Sequence, residues 1–113
     1  MTNKDNPQLD VVRRNLKLAL ALRDFSAAEA SRAAGLSRNA LSQFITGKTS
    51  LSYANMLATC AAIDVPIGLM HRPDSITTPR IRLYRLLERM PDHLAAEAVQ
   101  NAQAILDHQA PRP

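Results

Sequence analysis

The chain has no tryptophan, only two phenylalanines and two tyrosines, three glycines and a single cysteine. With so few aromatics, its core must be built from aliphatic side chains, and alanine and leucine dominate those present. Scarce glycine together with abundant alanine and leucine favours helix over sheet. Cys60 has no partner for an internal bridge, so the fold does not depend on an oxidising compartment. No apolar run approaches the ~20 residues needed to cross a bilayer, which excludes a spanning helix. The start, Met1 to Asp5, is polar and has no apolar signal region. A soluble, cytoplasmic protein with no membrane contact is the expectation. One further absence is local. From Ala30 to Ile63 there is no aspartate or glutamate, although Arg32, Arg38 and Lys48 lie within that stretch. A surface free of carboxylates over that length suits an approach to phosphates.

What is present fits that absence. The formal charge is +4, with a pI near 9.8, which is compatible with a nucleic-acid partner without establishing one. A length of 113 residues suits one small domain with a short appendage and is enough for a real core. Asn6-Pro7 reads as a helix start, with Asn6 as N-cap and proline at the first helical position. The helix that follows carries Leu9, Val12, Leu16, Ala19 and Leu20 at helical spacing and ends near Arg23-Asp24. Val11, Leu18 and Leu22 form a second apolar stripe, which predicts cover on two sides.

Ser26-Ala27-Ala28-Glu29 is a capping box that opens a short helix running to about Ala34. Gly35 then supplies the left-handed residue that stops it. Ser37 is the expected N-cap of the next helix, with Leu36 and Leu41 as a hydrophobic staple, and this helix runs to Thr46 and ends at Gly47. A polar loop over 48–50 follows. A fourth helix starts near Ser52 with Leu57, Ala61 and Cys60 facing inward, Val65-Pro66 breaks it, and residues 66–70 make one more short turn. Residues 71–78 are polar, contain proline and read as a linker. Two further helices, Pro79 to Met90 and Pro91 to Gln109, complete the chain. The last has an inward series of Leu94, Ala98, Ala102 and Ile105 flanked by Ala95, Val99 and Leu106.

The functional signal is the helix, tight turn and helix between Ala27 and Thr46. Such a pair can present its second helix to the major groove of DNA. Small residues are needed where the two helices cross, and Ala30, Ser31 and Ala34 provide them. Large apolar anchors are needed on the inner side of the second helix, and Leu36, Leu41 and Phe44 provide those. Its outer side is left with Arg38, Asn39, Ser42, Gln43 and Thr46, side chains that hydrogen-bond base edges and phosphates.

This arrangement resembles the Cro/repressor-like helix-turn-helix family, the XRE-like group of phage lambda repressor and Cro, over roughly Leu16 to Met70. The resemblance implies an all-α fold, a five-helix DNA-binding domain over 1–70 followed, after the linker, by a two-helix tail over 79–109. It implies that Arg38, Asn39 and Gln43 meet bases. Lys48, Thr49, Ser50, Ser52 and Asn55 match the loop and helix start that grip the sugar-phosphate backbone, and Ser37, Ser42 and Thr46 are expected beside them. Relatives often carry glutamine where this chain has Ala27, and alanine where it has Ser31. The tail looks like those that support self-association, with Tyr84, Leu87, Leu94, Ala98, Ala102 and Ile105 as the expected dimer surface.

Other chemistry finds little support. Cys60 fits a small buried hydrophobe. His71, His93 and His108 share no ligand spacing, so no metal site is expected. Glu29 is explained by capping, Asp24 and Asp64 sit at helix ends, and no phosphate loop or nucleophile motif is present. The expectation is therefore not an enzyme, with no cofactor, but a sequence-specific regulator that binds double-stranded DNA as a homodimer and represses from a palindromic operator. The alternative is a protein-interaction module, an antitoxin-like partner that uses its C-terminal helices.

Overall fold

Helix formation begins where the sequence places it. Asn6 is extended and its side-chain oxygen accepts the Gln8 N–H at 2.9 Å, with Pro7 at the first helical position. The computed structural model describes residues 6–109, so the polar start Met1 to Asp5 lies outside the described residues. The elements in order are α1 (Pro7–Leu22), α2 (Ala27–Ala33), α3 (Ala40–Ile45), α4 (Tyr53–Ile63), a 3-10 turn (Ile67–Leu69), α5 (Thr78–Arg89) and α6 (Asp92–His108), with no strand among the described residues. The fifth element of the expected five-helix domain is thus a single 3-10 turn. The described residues form two compact units that divide between Arg82 and Leu83, within α5.

In the first unit, Val12, Leu16, Ala19 and Leu20 of α1 pack with Ala30 of α2, Leu41 and Phe44 of α3, and Met56, Cys60 and Ile63 of α4. Val65, Leu69, Met70 and Ile81 close the core. The inward face of α4 differs from expectation. Leu57 and Ala61 are exposed, while Met56, Thr59, Cys60 and Ile63 are buried. This helix is apolar on nearly every side, so periodicity could not choose a face. Thr59 is admitted to the core because its hydroxyl donates to the Asn55 carbonyl at 2.8 Å. The second stripe of α1 is not covered as expected, since Leu18 and Leu22 are exposed and Val11 is half-buried.

Four helices end the same way despite the shortage of glycine. The N–H groups of Phe25, Leu36, Lys48 and Val65 each reach back to a carbonyl five residues earlier, at 2.8 to 3.0 Å. This closure needs a left-handed residue just before the reaching N–H. Gly35 and Gly47 fill that place with φ of 77° and 87°, and Asp24 and Asp64 fill it with φ of 62° and 59°. Aspartate tolerates this region better than most side chains.

Three polar side chains of α1 and its C-cap reach the ends of the other elements. Arg13 donates to the Phe44 carbonyl at the end of α3, and Arg23 to the Ile63 carbonyl at the end of α4. Asn15 donates to the Met70 carbonyl at 2.7 Å and the Arg72 carbonyl at 2.9 Å. The stretch read as a linker is tied to α1 by that last bond and by the Gln8 amide on the His71 carbonyl, and Ser75 within it is buried.

Cys60 is buried, and burial pushes its thiol up to about 11 from an ordinary 9.0. At pH 8 its thiolate fraction falls about a hundredfold relative to the unfolded chain, so alkylation should be slower by that factor until denaturant is added. Because the folded value lies above the unfolded one, the contribution of this group to stability is complete below pH 9 and is lost as pH rises toward 11. Fast labelling of the folded protein would place the thiol at the surface instead.

Candidate nucleic-acid interface

The interface is built on the α2–turn–α3 pair. The Ser26 hydroxyl accepts the Glu29 N–H at 3.0 Å and the Glu29 carboxylate accepts the Ser26 N–H at 2.8 Å, completing the capping box. The Ser26 backbone N–H, then its side chain, hold the Glu29 carboxyl below its ordinary range. At the crossing, Ala30, Ser31, Leu41 and Phe44 are fully or almost fully buried.

The start of α3 differs from expectation. Ser37 makes no side-chain cap. Its carbonyl accepts the Ala40 N–H at 3.0 Å, so Ser37, Arg38 and Asn39 form one turn and the α-helix begins at Ala40. Asn39 occupies the N-cap position without a side-chain hydrogen bond. The donor that a local cap would satisfy is met across the helix pair, where the Ser31 hydroxyl accepts the Leu41 N–H at 3.2 Å. Ser31 therefore fastens α2 to the first turn of α3.

Arg38 and Asn39 consequently stand on the turn ahead of the helix, and Gln43 stands on the helix. All three are exposed. Ser37, Ser42, Thr46, Lys48, Thr49, Ser50, Ser52 and Asn55 are exposed as well. Their hydrogen bonding separates them. Ser42 donates its hydroxyl hydrogen to the Asn39 carbonyl at 3.1 Å, and Thr46 donates its own to the Ser42 carbonyl at 2.9 Å. Both are then acceptors only, and a phosphate needs donors. The Ser52 oxygen accepts the Asn55 N–H at 3.1 Å as the N-cap of α4, which leaves its hydroxyl hydrogen available.

Nothing in the sequence singles out Arg13. It is 5 % exposed, a rare level for a charged side chain. Its Nε donates to the Phe44 carbonyl at 2.7 Å and its guanidinium to the Thr49 carbonyl at 3.2 Å. The same group lies 5.0 Å from the centroid of the Phe44 ring and 3.6 Å from the Asp10 carboxylate. One side chain thus ties α1 to the end of α3 and to the loop that carries Lys48 and Ser50. Arg14 and Lys17 are not singled out either, and both line, together with Asp10, a groove beside Ile45 and Thr46 at the end of α3. The signal was present as Arg13, Arg14 and Lys17 at helical spacing, but basic residues on a solvated helix carry no mark of what they face.

Of the surfaces expected for self-association, Tyr84 and Ala98 are half-buried, and Leu87, Leu94, Ala102 and Ile105 are exposed. The inward series assigned to the last helix is therefore not inward within one copy, because no residue of α6 is buried. No helix among the described residues is long and apolar enough to cross a membrane.

Comparison with protein families matches residues 16–70 to the family described as Helix-turn-helix. Comparison with curated proteins and with solved structures gives no match.

Proposed function

Because residues 16–70 belong to the XRE/Cro-like helix-turn-helix family, we propose that the chain is a sequence-specific DNA-binding transcriptional regulator, a repressor that acts as a homodimer on a palindromic operator. The observation that carries this reading is an exposed surface that holds hydrogen-bond donors and no carboxylate. The turn Ser37 to Asn39, the outer side of α3 and the loop 48–50 all contribute to it. Arg38, Asn39 and Gln43 are the base-reading side chains, the arginine suited to guanine and the two amides to adenine. Ser37, Lys48, Thr49, Ser50, Ser52 and Asn55 hold the sugar-phosphate backbone, and Arg14 and Lys17 extend that set along α1. Ser42 and Thr46 join it only by turning their hydroxyls away from the helix carbonyls. Bound at a promoter, the dimer excludes polymerase by occupancy. The reading assigns no chemical step, no cofactor and no membrane contact, and it places the protein in the cytoplasm on the nucleoid.

Counterion release makes such binding steeply salt-dependent. With ~4–8 phosphate contacts for a dimer, the logarithm of the association constant should fall against that of salt with a slope of about −4 to −7. A duplex titration from low to physiological salt checks this. A flat response would remove the electrostatic basis of the proposal.

The exposed α6 also fits an antitoxin-like reading, in which the C-terminal helices hold a different protein. Recovery of a stable heteromer that requires α6 would favour that second reading.

A further inference from the structure

The two C-terminal helices carry opposite charge. Helix α5 has four arginines and one glutamate, a net +3, whereas α6 has two aspartates, one glutamate and neither lysine nor arginine, a net −3. Both also leave an apolar stripe open. On α5, Leu83 and Leu86 are each 53 % exposed and Leu87 is 40 % exposed. On α6, Leu94 is 43 % exposed, Ile105 62 %, and Val99 and Leu106 65 % each. No residue of this 17-residue helix is buried, although most helical stability in proteins comes from packing an amphipathic face.

We infer that α6 of one copy docks along α5 of a second copy, and the reverse, in a two-fold pair joined by apolar stripes and matched by charge. This rests on the homodimer reading above and specifies its geometry. Pairing α6 with α6 would set −3 against −3, and pairing α5 with α5 would set +3 against +3. Like charges at the flanks of a helix seam oppose association, and opposite charges select the partner. In a two-fold dimer a contact between α5 and α6 occurs twice, so both oppositely charged helices are used in each copy. Arg82 and Arg89 lie seven residues apart on one edge of the α5 stripe, and Glu97 lies on an edge of the α6 stripe.

Two charge-reversed full-length proteins test it. One carries Arg82→Glu and Arg89→Glu, the other Glu97→Lys and Asp107→Lys. Each alone should dimerise at least about tenfold more weakly than the parent by sedimentation at low salt. Mixed, they should recover a heterodimer, because α6 of the first then faces α5 of the second with opposite charges reversed in both or kept in both. Added salt should weaken the parental dimer. An α6 variant that dimerises as well as the parent, a mixture that stays monomeric, or a parental protein that is monomeric would each overturn the inference. The readout involves no DNA. Binding of each protein to a random duplex at low salt is measured in parallel, and absence of that binding in the parent would count against the DNA-binding proposal separately.

Discussion

Arg13→Ala is expected to destabilise the fold by about 3 kcal/mol and to weaken operator binding at temperatures where the protein is still folded. The substitution removes two charge-assisted hydrogen bonds, each worth roughly 1.5–3 kcal/mol, and the packing against the Phe44 ring. The Phe44 carbonyl keeps a partner in the Gly47 N–H at 3.0 Å, which limits the cost there. Relief of a buried guanidinium offsets part of the rest. Arg13→Lys should fall between, because an ammonium is a point donor that cannot span the Phe44 and Thr49 carbonyls together. Binding suffers beyond stability because the loop with Lys48 is no longer tied to α1. Denaturant titration gives the first effect. Operator affinity of variants checked for native helicity gives the second. Parental affinity in a folded, destabilised Arg13→Ala protein would make this residue purely structural.

Base-reading and phosphate-holding side chains should fail differently when removed. Arg38→Ala and Gln43→Ala should each lower operator affinity by ~1–3 kcal/mol and relax the preference at particular base pairs. Lys48→Ala should weaken operator and random duplex alike, and the salt slope should become shallower by about one for each phosphate that Lys48 neutralises. Because Arg38 stands on the turn and Gln43 on the helix, the base pairs they affect should be separable. Titration of each variant against single-base operator changes checks this.

Much of the fold was legible because helix ends are written in local chemistry. Asn6-Pro7, the Ser26 and Glu29 box, and Gly35 each predict a structure that follows from their own hydrogen bonds. What was not legible depended on partners distant in sequence. Ser37 looks like a cap, but the Leu41 N–H is taken by Ser31, ten residues away, so the helix starts later. Leu57 looks like core and Thr59 does not, but α4 is apolar on nearly every side, so only its packing against the other helices decides which face turns inward. Arg13 looks solvated because nothing near it in sequence announces carbonyls 31 and 36 residues on. The exposed candidates on the turn and α3 were visible from residue type and helical position. Which hydroxyls still had a hydrogen to donate was visible only in the geometry.

Selection of binding sites from random duplex DNA by the parental protein and by a folded Arg38→Ala, Asn39→Ala, Gln43→Ala variant tests the central claim most directly. The parental protein should enrich a two-fold symmetric sequence whose half-sites lie about one helical turn apart, ~34 Å. The variant should still bind duplex at low salt through its phosphate contacts, and that sequence should be absent from its selected pool. Enrichment of the same sequence by both proteins would show that the turn and α3 do not read bases, and the account would fail at its centre.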